Sequence, residues 1–131
     1  MTISLGYSII YVADVPATVA FYERAFGLQL RFLHESKLYA EMETGHTALA
    51  FAGEPLAELN GFAIRPNRKT DLAAGFEVAF VTDDPEAAYA KAVAAGAFAL
   101  TPPTAKPWGQ VVGYVRDLNG CLIELCSEIS R

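Results

Sequence analysis

The sequence predicts an α+β protein of two paired β-α-β-β-β units around a shared cavity, and three observations lead there. The chain repeats itself: residues 11–27, YVADVPATVAFYERAFG, align without a gap on residues 80–96, FVTDDPEAAYAKAVAAG, at an offset of 69, pairing Asp14 with Asp83, Pro16 with Pro85 and Gly27 with Gly96. Each copy reads as the end of an apolar run, a helix start signal, and a helix stopped by glycine. A period this long, seen twice, marks two copies of one supersecondary unit rather than a solenoid. Short strand-like runs separated by turn residues follow each copy. Two such units are expected to face each other, and the cavity between them is where function should lie.

Taken in order, residues 3–12 are rich in β-branched and aromatic residues and read as the first strand. Asp14 can cap the helix that follows, and Pro16 is tolerated in its first turn. Val15, Val19, Tyr22 and Phe26 fall at helical spacing, and Gly27 closes the helix. Three short strands follow at 28–35, 39–44 and 47–52, with turns at 35–37 and at Gly45-His46. The second unit opens with a strand at 75–81. Asp83 or Asp84 caps a helix with Pro85 near its start and Tyr89, Ala92 and Val93 on one face, and Gly96 ends it. A short strand at 97–101 comes next. Residues 111–115 and 121–127 form a hairpin across Asn119-Gly120, a strong turn signal. The reading is one domain over 1–131: a first unit at 1–52, a connection at 53–74 and a second unit at 75–131. The connection holds Arg65, Arg68 and Lys69, and its length implies that it carries some structure or forms an interface.

A chain of 131 residues suits one domain that buries roughly two-thirds of its unfolded surface and needs no staples. With 53% hydrophobic and 19% charged residues it reads as soluble and globular. The sequence shows no run of about 18 apolar residues and no basic start with a cleavage site, so no membrane partner and a cytoplasmic location are expected. A net charge of −5 argues against a nucleic-acid partner, which would want clustered Lys and Arg. Cys121 and Cys126 would lie about 16 Å apart on opposite faces of one strand, too far for a disulfide, and are expected to be reduced thiols.

Three stretches carry a family resemblance: VADVPATVAFYERAFGL at 12–28, GFEVAFVTDD at 75–84 and PWGQVVGYVRDLNGCLIEL at 107–125. The chain resembles the vicinal oxygen chelate superfamily, which includes glyoxalase I, extradiol dioxygenases and bleomycin-resistance proteins, and is most similar in feel to the last. The resemblance implies that each unit curls its strands into a cupped mixed sheet, that metal-dependent members place four ligands on the concave faces, and that the protein is a homodimer. At those four positions this chain offers Tyr7, Ala50, Glu77 and Glu124. Glu124 is the usual ligand, Glu77 a permissible substitute, and Tyr7 and Ala50 break the set.

Glu77 and Glu124 sit mid-strand among apolar neighbours, and by the resemblance their face lines the cavity. Two carboxylates there repel, so one takes up a proton or a cation sits between them. They are the weak candidates for a divalent metal, of a loosely bound hard-cation kind. Trp108 lies in a Pro-Trp-Gly loop, where the resemblance places a groove border, and stacking there is worth about 0.5–2 kcal/mol. Tyr7 stands at a missing ligand position. His34 and His46 read as solvated, as do Glu41 and Glu43. No nucleophile triad or phosphate loop is present, and no catalytic residue is assigned. The expected function is binding of a hydrophobic or aromatic, cationic small molecule through Tyr7, Glu77, Trp108 and Glu124, without catalysis and without a firmly held cofactor. The alternative is a metal-dependent lyase or dioxygenase of glyoxalase type.

Overall fold

The structure, a computed structural model, describes residues 1–129 and comprises two compact units, Met1–Pro66 and a second beginning at Asn67. The N-terminal unit runs β1 (Tyr7–Val12), α1 (Val15–Phe26), β2 (Leu30–Leu33), β3 (Tyr39–Met42) and β4 (Ala48–Gly53), followed by a short helix α2 (Pro55–Leu59). The C-terminal unit runs β5 (Glu77–Val81), α3 (Pro85–Ala94), β6 (Phe98–Lys106), β7 (Gln110–Arg116) and β8 (Leu122–Cys126). The sheets have the strand orders β1-β4-β3-β2 and β5-β8-β7-β6. In each, the first strand lies parallel to the last and the other pairings are antiparallel. Both units are therefore β-α-β-β-β with a mixed sheet, the α+β class expected. The connection carries structure, in the form of α2.

Local chemistry explains the elements. Asp14 and Asp84 are the N-caps of α1 and α3, accepting from the Ala17 and Ala87 amides at 3.0 and 3.1 Å. Each bond satisfies an amide that the first helical turn leaves without a partner. Asp14→Ala is expected to destabilise the N-terminal unit by about 1 kcal/mol, measurable by urea denaturation. Gly27 ends α1 in the left-handed region at φ 68°. Helix α1 packs on β3 and β4, where the Tyr22 ring lies 4.7 Å from Phe51 and 5.1 Å from Phe26. Tyr22 and Phe51 are fully buried, so the Phe-Tyr helix end serves the core. In the other unit, α3 packs on β6, β7 and β8 over buried Val115, Ile123 and Leu125.

The repeat is real, but its register differs from the gapless alignment. The caps Asp14 and Asp84 stand 70 residues apart. So do the buried first helical residues Val15 and Pro85, and the buried Tyr22 and Ala92. The strands agree, because Tyr7, Ile9 and Tyr11 correspond to Glu77, Ala79 and Val81 on the face away from the helix. An offset of 69 would pair Tyr11 with Phe80, which points to the opposite face. The alignment slips because α1 carries its proline at the second helical position and α3 at the first, and a helix tolerates both.

Two strand bounds also differ. Strand β1 starts at Tyr7 rather than residue 3, because its partner β4 begins at Ala48 and the Ala48 amide donates to the Gly6 carbonyl. Strand β6 runs on to Lys106 through Pro102 and Pro103. It is an edge strand with two register shifts, so the missing proline donors cost no ladder bond. Among the described residues no helix is long and apolar enough to cross a membrane.

Candidate functional site

In the C-terminal unit, strand register places a row of polar side chains on the sheet face away from α3. One rung aligns Glu77, Leu122, Arg116 and Phe98; the next aligns Ala79, Glu124, Tyr114 and Thr101. Glu77 and Glu124 come within hydrogen-bonding reach of each other, and the Tyr114 hydroxyl donates to Glu124 Oε1 at 2.8 Å.

The electrostatics follow from this packing. Partial desolvation, then the hydrogen bond and the charge of Glu124, push the Glu77 carboxyl up to about 7. Burial works against ionisation of Glu124, but hydrogen bonds from Glu77, Cys126 and Tyr114 outweigh it and hold its carboxyl below the ordinary range. A carboxyl beside a carboxylate shares one proton, and the two titrate as a pair. Desolvation, then Glu124, push Tyr114 to about 12 and Cys126 to about 11, so both stay protonated at neutral pH.

Further along the same face, Trp108 in the β6–β7 turn donates its indole N–H to Gln110 Oε1 at 2.6 Å. Gln110 in turn donates to the Ser127 carbonyl at 3.0 Å. The Trp108 ring is half-exposed and anchored at its polar end. Gln110 lies four residues from Tyr114, about 13 Å along the strand. A recess of about 360 Å³, lined by Val81, Gln110, Ser127, Glu128 and Ile129, adjoins it.

In the N-terminal unit, Tyr7, Ile9 and Tyr11 share the face away from α1, as their alternation implied. Ala50 lies between Ile9 and Glu41 and is fully buried. Glu41 is not simply solvated: it accepts from the Tyr39 hydroxyl at 2.9 Å, and Arg31 lies 3.9 Å away. Arg31 forms a two-pronged ion pair with Glu43 at 2.6 and 2.9 Å. The exposed His34 accepts from the Ser36 amide, and His46 is exposed in a turn. Cys121 is half-buried and Cys126 buried, both without a disulfide.

Sequence reasoning thus placed Glu77, Glu124 and Tyr7 on helix-free sheet faces and missed Tyr114, Gln110 and the Arg31–Glu41–Glu43 group. The donor set does not fit a resident four-ligand metal. Among the described residues no group of three or more His, Cys, Asp or Glu side chains is arranged to hold a metal ion, and Glu77 and Glu124 are engaged with each other.

A domain of two β-α-β-β-β units, each with a mixed sheet whose first and last strands run parallel, and a carboxylate on the final strand, defines the vicinal oxygen chelate class. The chain belongs to the Glyoxalase/Bleomycin resistance protein/Dioxygenase superfamily, which residues 4–125 match. Its fold is similar to that of a glyoxalase-related enzyme from Fulvimarina pelagi, with a TM-score of 0.82 and 23% identity over 95% of this chain and 88% of that one. A glyoxalase/bleomycin resistance protein/dioxygenase family enzyme from Burkholderia phytofirmans PsJN gives 0.78 and 23% over 95% and 98%. TioX from Micromonospora sp. ML1 gives 0.72 and 23% over 96% and 99%. At these identities the likeness concerns the fold alone. None of the curated proteins matches the chain in sequence.

Proposed function

We propose that the open face of the C-terminal sheet binds a planar, hydrophobic small molecule carrying a positive charge, and that the protein acts by binding rather than by catalysis. The observation that carries this reading is the proton-sharing pair Glu77–Glu124 beside Tyr114 on a half-exposed face. A cation meets a carboxylate at Glu124 and an aromatic ring at Tyr114, and both attract it. The anchored Trp108, bonded to Gln110 further along the same strand, supplies a second aromatic surface. Tyr7, on the corresponding face of the N-terminal sheet, is proposed as a further ligand-facing residue. No observation favours the metal-dependent lyase or dioxygenase, since the positions that would hold the metal offer only two carboxyl groups.

Ethidium, a planar cation of fixed charge, is a suitable probe. It is expected to quench Trp108 fluorescence saturably, and the sole tryptophan makes the signal unambiguous. Glu124→Gln is expected to weaken the binding about tenfold, the loss of one ionic contact worth about 1.4 kcal/mol. Absence of quenching at millimolar ethidium, or equal affinity in Glu124→Gln, would sink the proposal.

A further inference from the structure

Arg116 occupies the rung that ends this face, between Leu122 and Phe98 and one strand beyond the partner of Glu77. Among the described residues its guanidinium forms no ion pair with a carboxylate, and it donates to backbone carbonyls. Gly120 O lies at 2.7 Å and Asp71 O at 2.8 Å, with Arg68 O and Lys69 O more distant at 3.4 and 3.5 Å. Residues 68–71 are thereby held against the sheet end, although they belong to no helix or strand. The Lys69 ammonium lies 5.9 Å from the centre of the Phe98 ring on the same rung. Beyond the held stretch, Leu72 is almost fully exposed. Gly120 completes the seat, because a Cβ there would meet Arg116 Nη2 at 2.6 Å, Arg68 O at 2.7 Å and Lys69 Cα at 2.8 Å.

We propose that Arg116 is a latch that holds residues 68–71 down as the end wall of the ligand face, beside Glu77. The part concerning the ligand rests on the binding reading above; the latch itself does not. The planar fork suits the task, since several N–H groups reach carbonyls in different directions at once, whereas a lysine ammonium satisfies fewer of them. Arg116 reaches the strap through its main-chain oxygens, so these contacts do not depend on which side chains the strap carries. Arg116 is accordingly a positioning residue, acting on a ligand through the wall it fixes.

The strap contains two tryptic bonds, after Arg68 and after Lys69, whose carbonyls face the latch. The full-length protein and its Arg116→Ala and Arg116→Lys variants should be digested with dilute trypsin and the cuts located by mass spectrometry. The expected result is cleavage after Arg68 and Lys69 at least tenfold faster in Arg116→Ala, with Arg116→Lys intermediate and the bonds after Arg24 and Lys91, within helices, unchanged. Strap cleavage at the wild-type rate would overturn the latch, and so would acceleration at every site together, which would mean that Arg116 holds the whole fold. If Arg116→Ala does not fold, Arg116→Lys against wild type gives the same comparison. Bound ethidium is expected to slow strap cleavage in the wild type and to bind Arg116→Lys, which keeps the positive charge while loosening the strap, about threefold more weakly. Unchanged affinity with a released strap would overturn the wall. If ethidium fails to bind the wild type, the binding reading and the ligand wall fall together, while the cleavage ratio still judges the latch.

Discussion

Gly120→Ala is expected to lower the stability of the C-terminal unit by about 3 kcal/mol. Two costs add. Gly120 has φ +86°, and a residue with a Cβ in the left-handed region costs roughly 1–2 kcal/mol. The new methyl group would also lie within 3 Å of two backbone atoms and the Arg116 guanidinium, and overpacking of this kind costs roughly 1–3 kcal/mol. The backbone atoms are those of the strap, so relief of the clash requires the strap to lift. Urea denaturation followed by Trp108 fluorescence reports on this unit directly. Gly75→Ala is the control: its Cβ would meet nothing within 4 Å, so a change within about 0.5 kcal/mol is expected. A Gly120→Ala loss no larger than that of the control would refute the account of the turn.

The same turn shows where sequence reading stops. Helix caps, the succession of helices and strands along the chain and the two-unit plan were legible because they rest on local signals: an aspartate before a proline-led helix, a glycine after it, apolar runs at strand length. Register was not. An Asn-Gly pair suggests a two-residue turn, which would set Tyr114 opposite Leu125. The observed loop has three residues, with the Asp117 amide donating to Cys121 O and the Gly120 amide to Asp117 O, and it sets Tyr114 opposite Glu124. The buried Asp117 carboxylate, accepting from the Asn119 and Cys121 amides, fixes that choice. One residue of slip moves every side chain to the other face, so Tyr114 could not be assigned to the site from the sequence.

The one-residue slip of the internal repeat has the same origin. A proline fits either of two helical positions, and only the packed face of α3 tells which. Glu77 and Glu124 were legible because each interrupts an apolar strand. The role of Glu41 was not, because its partner Arg31 lies on another strand, and the pairing depends on a bulge between Leu30 and Phe32. Arg116 belonged to a recognisable motif, but its partners in the strap lie more than forty residues earlier as carbonyl oxygens, which no side-chain pattern reveals.

Ethidium affinity is expected to rise about fivefold between pH 6 and pH 8, the equivalent of roughly 1 kcal/mol, and the rise is expected to vanish in Glu77→Gln. Below about pH 7 the Glu77–Glu124 pair holds a proton and carries one negative charge; above it the pair carries two. An added unit charge about 4 Å from a cation is worth roughly 1 kcal/mol in water and roughly 4 kcal/mol in a partly buried site. Glu77 is solvent-exposed, so the lower end applies, which corresponds to about fivefold in affinity. The other titratable groups facing the pair are Tyr114 and Cys126, held near 12 and 11, and neither changes charge in this window. Stability of the empty protein should move the opposite way. Because the folded state raises the Glu77 carboxyl above its unfolded value, the stabilisation is full below about pH 4.5 and is lost as pH rises through about 7. Melting temperature without ligand should therefore fall from pH 5 to pH 8 in the wild type, less so in Glu77→Gln, and saturating ethidium should offset the fall. A proton-sharing pair that binds a cation requires both signs at once. Affinity independent of pH in the wild type, or a rise that survives in Glu77→Gln, would place the bound cation away from these carboxyl groups.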